Sequence, residues 1–500
     1  MAPLVLTSCV RLRALKTPEP PVLALPPSYA LHRDEVHCFL GVNGSGKSRL
    51  LQQLQCAAED ALAKPASGRR VRLGALSFDA HRAFVGEHGD KVVADVLGGI
   101  GSPDARDLIV RLGLFPVWDS YIRHLSTGEI RKVLLAVTLL KVPRANVLLL
   151  DQPFDGLDKS ARRQLEWMLG QLTRGFTRLL VETGGRNEAF AYKTQVLLVA
   201  NRLEQVFPDI LTHVVLTRKT TQSHKSADVE MVPWKDPENP EDMLRGLRKF
   251  FDDQMSVPPI DDATLGTLIA TLYTGRSAAD ADQIALELKQ VSVAYGKRLL
   301  LESVDFQRHR HAHWVLLGPN GSGKSSLMRV LMQTDGHGQV GGKVEVNGDK
   351  IAVVSTDQHL EMLQNPHHAH RSARDWLFMS SDEDSSAVDV VVQLLGIPSE
   401  LLPRKFHELS QGEQKLVQIA CAIVQRPDVL ILDEITHGLD MWNRQRVLRV
   451  IDALGFHASE HTHLVLITHH EDEIVECFQD VYEIHEQSLR RVDRTKSESE

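Results

Sequence analysis

Gly318-Pro319-Asn320-Gly321-Ser322-Gly323-Lys324-Ser325 decides how the rest of the chain is read. The apolar run Trp314-Val315-Leu316-Leu317 before it reads as a buried strand. Ser326-Leu327-Met328-Arg329-Val330-Leu331-Met332 behind it repeats apolar residues at helical spacing. Strand, glycine turn and helix are the setting in which GxxxxGK[ST] forms a phosphate cradle. Gly318, Gly321 and Gly323 permit positive φ and close approach of the backbone. Loop N–H groups, from Gly318 through Asn320 to Ser326, then converge on phosphate oxygens at a helix N-terminus. Lys324 adds a point charge at the β- and γ-phosphates, and the Ser325 hydroxyl takes one Mg²⁺ position.

The same device occurs once more. Gly41-Val42-Asn43-Gly44-Ser45-Gly46-Lys47-Ser48 follows Val36-His37-Cys38-Phe39-Leu40, with Gly41, Asn43, Gly44, Gly46, Lys47 and Ser48 in the corresponding roles. The two lysines lie 277 positions apart. Downstream, Leu125-Ser126-Thr127-Gly128-Glu129 matches Leu409-Ser410-Gln411-Gly412-Glu413 at an offset of 284. Val147-Leu148-Leu149-Leu150-Asp151 matches Val429-Leu430-Ile431-Leu432-Asp433, and Gly156-Leu157-Asp158 matches Gly438-Leu439-Asp440, both at 282. Landmarks in one order at nearly one offset mean an internal duplication. The chain therefore reads as α/β, two tandem P-loop domains over 1–216 and 283–489. A partly helical linker over 217–282 joins them, and a charged tail occupies 490–500. From Thr217 to Asp280 there are eight Lys/Arg against eleven Asp/Glu. The stretch 181–195 has no counterpart in the second copy and reads as a surface insertion.

Composition narrows the function classes. A net charge of -8 argues against bulk attraction to nucleic acid or anionic membrane. No apolar run approaches the roughly 20 residues that span a bilayer. The five cysteines include no CxxC pair and read as free thiols in a reducing compartment. The expected location is the cytoplasm, with Arg11, Arg13 and Lys16 leaving an organellar matrix open.

Asp151 and Asp433 each end a run that reads as a buried parallel strand, which brings a carboxylate to the edge where Mg²⁺ can be held. The next residue separates the copies. Glu434 can deprotonate an attacking water, whereas Gln152 cannot accept that proton. Ser126-Thr-Gly-Glu129 and Ser410-Gln-Gly-Glu413 each fit a helix capping box. A helix start with Gly in the third place also exposes N–H groups to an anion.

Together, cradle, LSxGE signature, strand-end acid and following GLD resemble the ATP-binding cassette (ABC) family over nearly all the chain outside 217–282. The resemblance implies an ATPase using ATP and Mg²⁺, with two cassettes paired head to tail. One site would join Lys47, Ser48, Asp151 and Gln152 to Ser410 and Gly412. The other would join Lys324, Ser325, Asp433 and Glu434 to Ser126 and Gly128. It also implies a switch histidine after the next strand: His469, with His470 as second choice, against Asn201 in the first copy. Tyr295 stands where the family stacks an aromatic ring on adenine. The family's glutamine after the strand following the cradle is missing in register. Thr356 and Phe78 occupy its place, with Gln358 and Asp79 nearby. Glu434, His469 and Lys324 are thus the expected catalytic residues, with hydrolysis confined mainly to the second site. Within the family, Leu125 to Lys132 and Asp151 to Asp158 resemble the soluble tandem-cassette ModF type. That type implies an unidentified protein partner. A ribosome-associated translation factor and the ATPase subunit of a membrane transporter are the alternatives.

Overall fold

The computed structural model describes residues 35–48, 50–51, 73–98, 109–110, 112–125, 127–141, 147–174, 195–206, 210–218, 229–234, 240–254, 260–276, 283–295, 298–332, 339–364, 370–382 and 384–492. The chain forms two compact units, Met1–Met255 and Ser256–Glu500.

In the first unit, β1 (Val36–Leu40), β2 (Leu73–Leu76), β3 (Val147–Asp151), β4 (Gln195–Ala200), β5 (His213–Thr217) and β6 (Val229–Pro233) form one sheet in the order β2-β3-β4-β1-β5-β6. Neighbours are parallel except β5 and β6. β1 and β4 are buried along their whole length, as expected of strands covered on both faces. Among the described residues, its helices of eight residues or more are α1 (Phe78–His88), α2 (Thr127–Lys141), α3 (Lys159–Arg174) and α4 (Pro240–Asp252).

The second unit repeats the plan. β9 (Trp314–Leu317), β11 (Ile351–Val354), β12 (Val429–Asp433), β13 (His463–Thr468), β14 (Asp480–His485) and β15 (Ser488–Val492) run in the order β11-β12-β13-β9-β14-β15. Strand for strand this is the first unit's permutation. β7 (Ile284–Tyr295), β8 (Arg298–His309) and β10 (Gln339–Val346) add an antiparallel sheet. Leu286, Leu288, Val291, Val293, Leu301 and Val304 from it share a core with Trp314 and Leu327. The helices are α5 (Asp262–Leu272), α6 (Lys324–Leu331), α7 (Thr356–Gln364), α8 (Ala373–Ser380), α9 (Ser385–Leu395), α10 (Gln411–Val424) and α11 (Met441–His457).

Three boundaries differ from the composition-based reading. Much of 217–282 belongs to the folded units. β6 extends the first sheet, and Leu247, Phe250 and Phe251 of α4 are buried. Leu265, Ile269, Leu272 and Tyr273 are buried too, and Tyr273 OH lies 2.7 Å from Thr462 Oγ1. Short apolar faces disappear when composition is averaged over a Pro-rich, charged stretch. The expected tail at 490 begins later, because β15 runs to Val492. Gln195 opens β4, so only 181–194 remain as insertion, and these lie outside the described residues. Leu4, Val5 and Leu6, which read as a first strand, also lie outside them.

Parallel strands send their C-terminal ends to one edge of a sheet, where such folds hold ligands. Here that edge carries Gly41, Asp151 and Asn201 in one unit and Gly318, Asp433 and His469 in the other.

A candidate nucleotide site in each unit

Each cradle is a turn of glycines in the left-handed region leading into a helix. Gly44 and Gly46 have φ of 76° and 90°, and Gly318, Gly321 and Gly323 have 154°, 79° and 102°. Close approach matters as well. A Cβ on Gly41 would come within 2.3 Å of Thr217 Oγ1. Lys47 Nζ donates to Gly41 O at 2.8 Å and Val42 O at 2.9 Å, and Lys324 Nζ to Gly318 O at 2.7 Å and Pro319 O at 2.9 Å. Both ammonium groups are therefore held at the mouth of their own loop. Asn43, Ser45 and Lys47 are buried, as is Lys324.

The strand-end acids follow the same plan. Asp151 Oδ1 and Asp433 Oδ1 are buried with no hydrogen-bond partner among the described residues. Burial pushes Asp151 up to about 6, against the Ser48 hydrogen bond and the Lys47 charge. Burial, with the charge of Glu434 second, also raises Asp433, against Lys324. A buried carboxylate oxygen without a donor in each unit, with Ser48 hydrogen-bonded to the Asp151 carboxyl in the first, fits a hard divalent cation.

Beyond the acids the copies diverge. Gln152 and Glu434 share one backbone state, with φ of 49° and 47°. Each N–H donates to the adjacent strand, Gln152 to Val199 O at 3.0 Å and Glu434 to Ile467 O at 2.9 Å. Glu434 Oε1 lies 3.2 Å from His469 Nδ1, and Oε2 lies 3.1 Å from His437 Nδ1. Burial opposes the Glu434 charge, but His437 and His469 outweigh it and hold the carboxyl below its usual range. Burial likewise opposes charge on His469, yet the hydrogen bond to Glu434 raises its pKa. Gln152 Oε1, by contrast, is buried with no hydrogen-bond partner among the described residues. Asn201 N donates to Gln205 Oε1 at 3.0 Å. The His470 ring lies against that of His469, with centroids 4.0 Å apart and the planes tilted by 39°.

Three residues of the second unit escaped the sequence reading. His437 grips Glu434. Lys415, one residue past Gln414 in α10, is buried and lowered to about 8 by burial, against the pull of Asp433 and Glu434. Asp357 is near enough to raise Asp433, and it pairs with Arg329 at 2.8 Å. A basic residue five places after the signature serine was visible in both copies, as Arg131 and Lys415. Arg131 Nη1 donates to Gln152 O at 3.0 Å. Gln358, the nearby candidate for the missing glutamine, has Oε1 3.1 Å from Gln418 Nε2.

The signature helix of the second unit starts as the capping pattern indicates. Glu413 N donates to Ser410 Oγ at 3.4 Å, and Ser410 N to Glu413 Oε2 at 2.8 Å. Gly412 is buried in the first turn of α10 and Gly128 in that of α2. Ser126 and the side chains of Tyr295, Phe78 and Asp79 lie outside the described residues.

A family model described as ABC transporter matches residues 26–155 and 301–437, one match in each unit. The chain belongs to the ABC transporter family. Both units are ATP-binding cassettes, and the protein is a tandem-cassette ATPase. It is similar to the ABC transporter ATP-binding protein ModF of Escherichia coli K12, with 26% identity over 495 residues, 90% of this chain and 91% of that protein. It is also similar to the uncharacterized ABC transporter ATP-binding protein YmeB of Lactococcus lactis, with 29% identity over 212 residues, 39% of this chain and 80% of that protein. Two solved structures share the fold at 19% identity. An archaeal ribosome recycling factor aABCE1, in complex with the ribosomal stalk protein aP1, has a TM-score of 0.51, covering 93% of this chain and 87% of that one. ABCE1 in a model of ribosome-bound archaeal Pelota and ABCE1 has a TM-score of 0.57, covering 95% and 78%. Among the described residues, no helix is long and apolar enough to cross a membrane.

Proposed function

We propose that the two cassettes close head to tail over two ATP molecules and that hydrolysis occurs mainly at the site built on the second cassette. The supporting observation is the double grip on Glu434, His437 on one carboxylate oxygen and His469 on the other. A base held on both oxygens is pre-aimed, and a positioned base typically contributes about 10²–10⁴ in rate. Gln152, on the same backbone, has no basic oxygen to offer.

Ser325 and Asp433 would hold Mg²⁺ in the second cassette, and Ser48 and Asp151 in the first. When bound, the ion neutralises charge building between the β- and γ-oxygens. The chain's own residues do the rest. Glu434 takes the proton from water, while His469, bonded to Glu434, contacts the γ-phosphate. Lys324 leaves the Gly318 and Pro319 carbonyls for the phosphates. In the shared-site arrangement, Ser126 and Gly128 face the second cradle, and Ser410 and Gly412 the first. Tyr295 stacks on the adenine of the second nucleotide. Closure is passed to a protein partner in the cytoplasm, in the manner of a ModF-like ATPase. The net charge of -8 favours a protein over nucleic acid in that role.

Nucleotide trapping tests this. Glu434→Gln, incubated with Mg²⁺ and ATP and rapidly desalted, should retain two unhydrolysed ATP per chain. Retention of one, or of ADP in the second cradle, sinks the shared-site reading.

A further inference from the structure

We propose a second kind of site in the first cassette. Glu35, His37 and His213 form a binding site for one borderline divalent 3d ion of the Zn²⁺ class, at the sheet edge opposite the nucleotide cradle.

The placement follows from strand geometry. Glu35 and His37 are two residues apart, so they project to the same face of the strand. His37 on β1 is in parallel register with His213, the first residue of β5. Their rings lie 4.6 Å apart, and His37 Nε2 is 3.0 Å from Glu35 Oε2. One ligand atom from each of the three residues falls within 4.8 Å of the others. Nitrogen and oxygen ligands around a tetrahedral Zn²⁺, each about 2.1 Å from the ion, stand about 3.4 Å apart. Side-chain adjustment alone closes that difference.

The surroundings fix the ligands. Thr212 Oγ1 accepts from Val36 N and donates to Val36 O, both at 3.0 Å. Its one hydrogen is committed, so toward His213 Nδ1, at 3.1 Å, it can only accept. That places the proton of neutral His213 on Nδ1 and leaves the Nε2 lone pair for a metal, the outer-shell arrangement metal-binding histidines use. The backbone is anchored too. Val196 N donates to Glu35 O at 3.3 Å, and Trp234 N to Thr212 O at 2.8 Å. Two imidazoles and a carboxylate favour Zn²⁺, Co²⁺, Ni²⁺ or Cu²⁺ over Mg²⁺ and Ca²⁺, which take oxygen ligands. His37 is fully buried, while Glu35 and His213 are partly exposed, leaving an open side for a water as fourth ligand.

The second cassette supplies an internal contrast. At the matching places it has Ala312, Trp314 and Asp480, with Asp480 in register with Trp314. One ion per chain is therefore expected. β1 and β5 both run from this cluster to the first cradle, where Ser45 Oγ meets Thr217 Oγ1 at 2.9 Å. Four residues of strand put the ion about 13 Å from Gly41. It would clamp the two strands without touching nucleotide, so the site stands independently of which cradle hydrolyses ATP.

The test is Co²⁺ titration of the metal-stripped full chain, read by visible d–d absorption and reversed by Zn²⁺. The wild type should show four-coordinate bands saturating at one equivalent. Outer-shell partners alone are worth about 10–100-fold in affinity, so losing a ligand should weaken binding by at least about 100-fold. Glu35→Gln and His213→Ala should each lose the bands, with near-UV circular dichroism confirming a native fold. Glu35→Gln is nearly isosteric and partly exposed, so it serves if His213→Ala is unstable. His470→Ala alters the second unit's three-histidine grouping and should keep the bands. Bands absent from the wild type, or surviving in folded Glu35→Gln, overturn the proposal.

Discussion

Glu434 and Gln152 sit on the same left-handed backbone, a conformation that costs a non-glycine residue of order 1–3 kcal/mol. Keeping it in both copies while changing the side chain points to divergence in chemistry, not in fold. Glu434 meets His437 across the following turn, with Oε2 3.1 Å from His437 Nδ1. His437→Ala should therefore lower kcat by about 10-fold and leave the KM for ATP nearly unchanged, because it frees one oxygen of the proposed base without touching nucleotide. An unaltered kcat would remove His437 from the site. This residue was illegible in sequence. Three places after Glu434 it reads as an ordinary loop residue, and the folded turn, closed by His437 N donating to Glu434 O at 3.3 Å, brings the two together. Lys415 and Asp357 were hidden for a related reason, since each reaches Asp433 from a different element. The cradles, strand-end acids, Glu434 and His469 were legible because each is short, contiguous and tied to a strand end.

α10 shows how one element can carry stability and ligand chemistry together. Its Ser410–Glu413 capping box satisfies helix N–H groups that are also the proposed contact for the γ-phosphate. Substitution separates the two roles. Ser410→Ala removes the cap and should destabilise the chain by about 1 kcal/mol in denaturant unfolding. Ser410→Asp keeps the cap but puts a negative charge where an anion should bind. It should preserve stability and still depress ATP turnover, and full turnover in Ser410→Asp would leave the box a purely structural device. The elements between the cassettes illustrate what composition hides. α4 buries Leu247, Phe250 and Phe251, three apolar residues at helical spacing inside a charged stretch. Periodicity read over that short window, without the averaged composition, finds the helix but not which unit it packs on.

At the scale of the whole molecule, buried histidines set the acid limit. Burial pushes His359 and His463 down to about 3 and His313 to about 4, from an ordinary 6.5. Between pH 6.5 and about 3 the unfolded chain binds protons that the folded one refuses, so stability is present above pH 6.5 and is lost as pH falls. Calorimetry should show the second unit melting at clearly lower temperature at pH 5 than at pH 7, and a flat profile would mean these rings take up protons in the folded state.

The duplication gives one molecule two copies of a machine, and the central claim is that only one copy has a working base. Steady-state ATP turnover of Glu434→Gln and Gln152→Ala, measured side by side, tests it most directly. The account predicts a fall of about 10²–10⁴ for Glu434→Gln and a change within a few-fold for Gln152→Ala. Unchanged turnover in the first with collapse in the second, or equal loss in both, would contradict it.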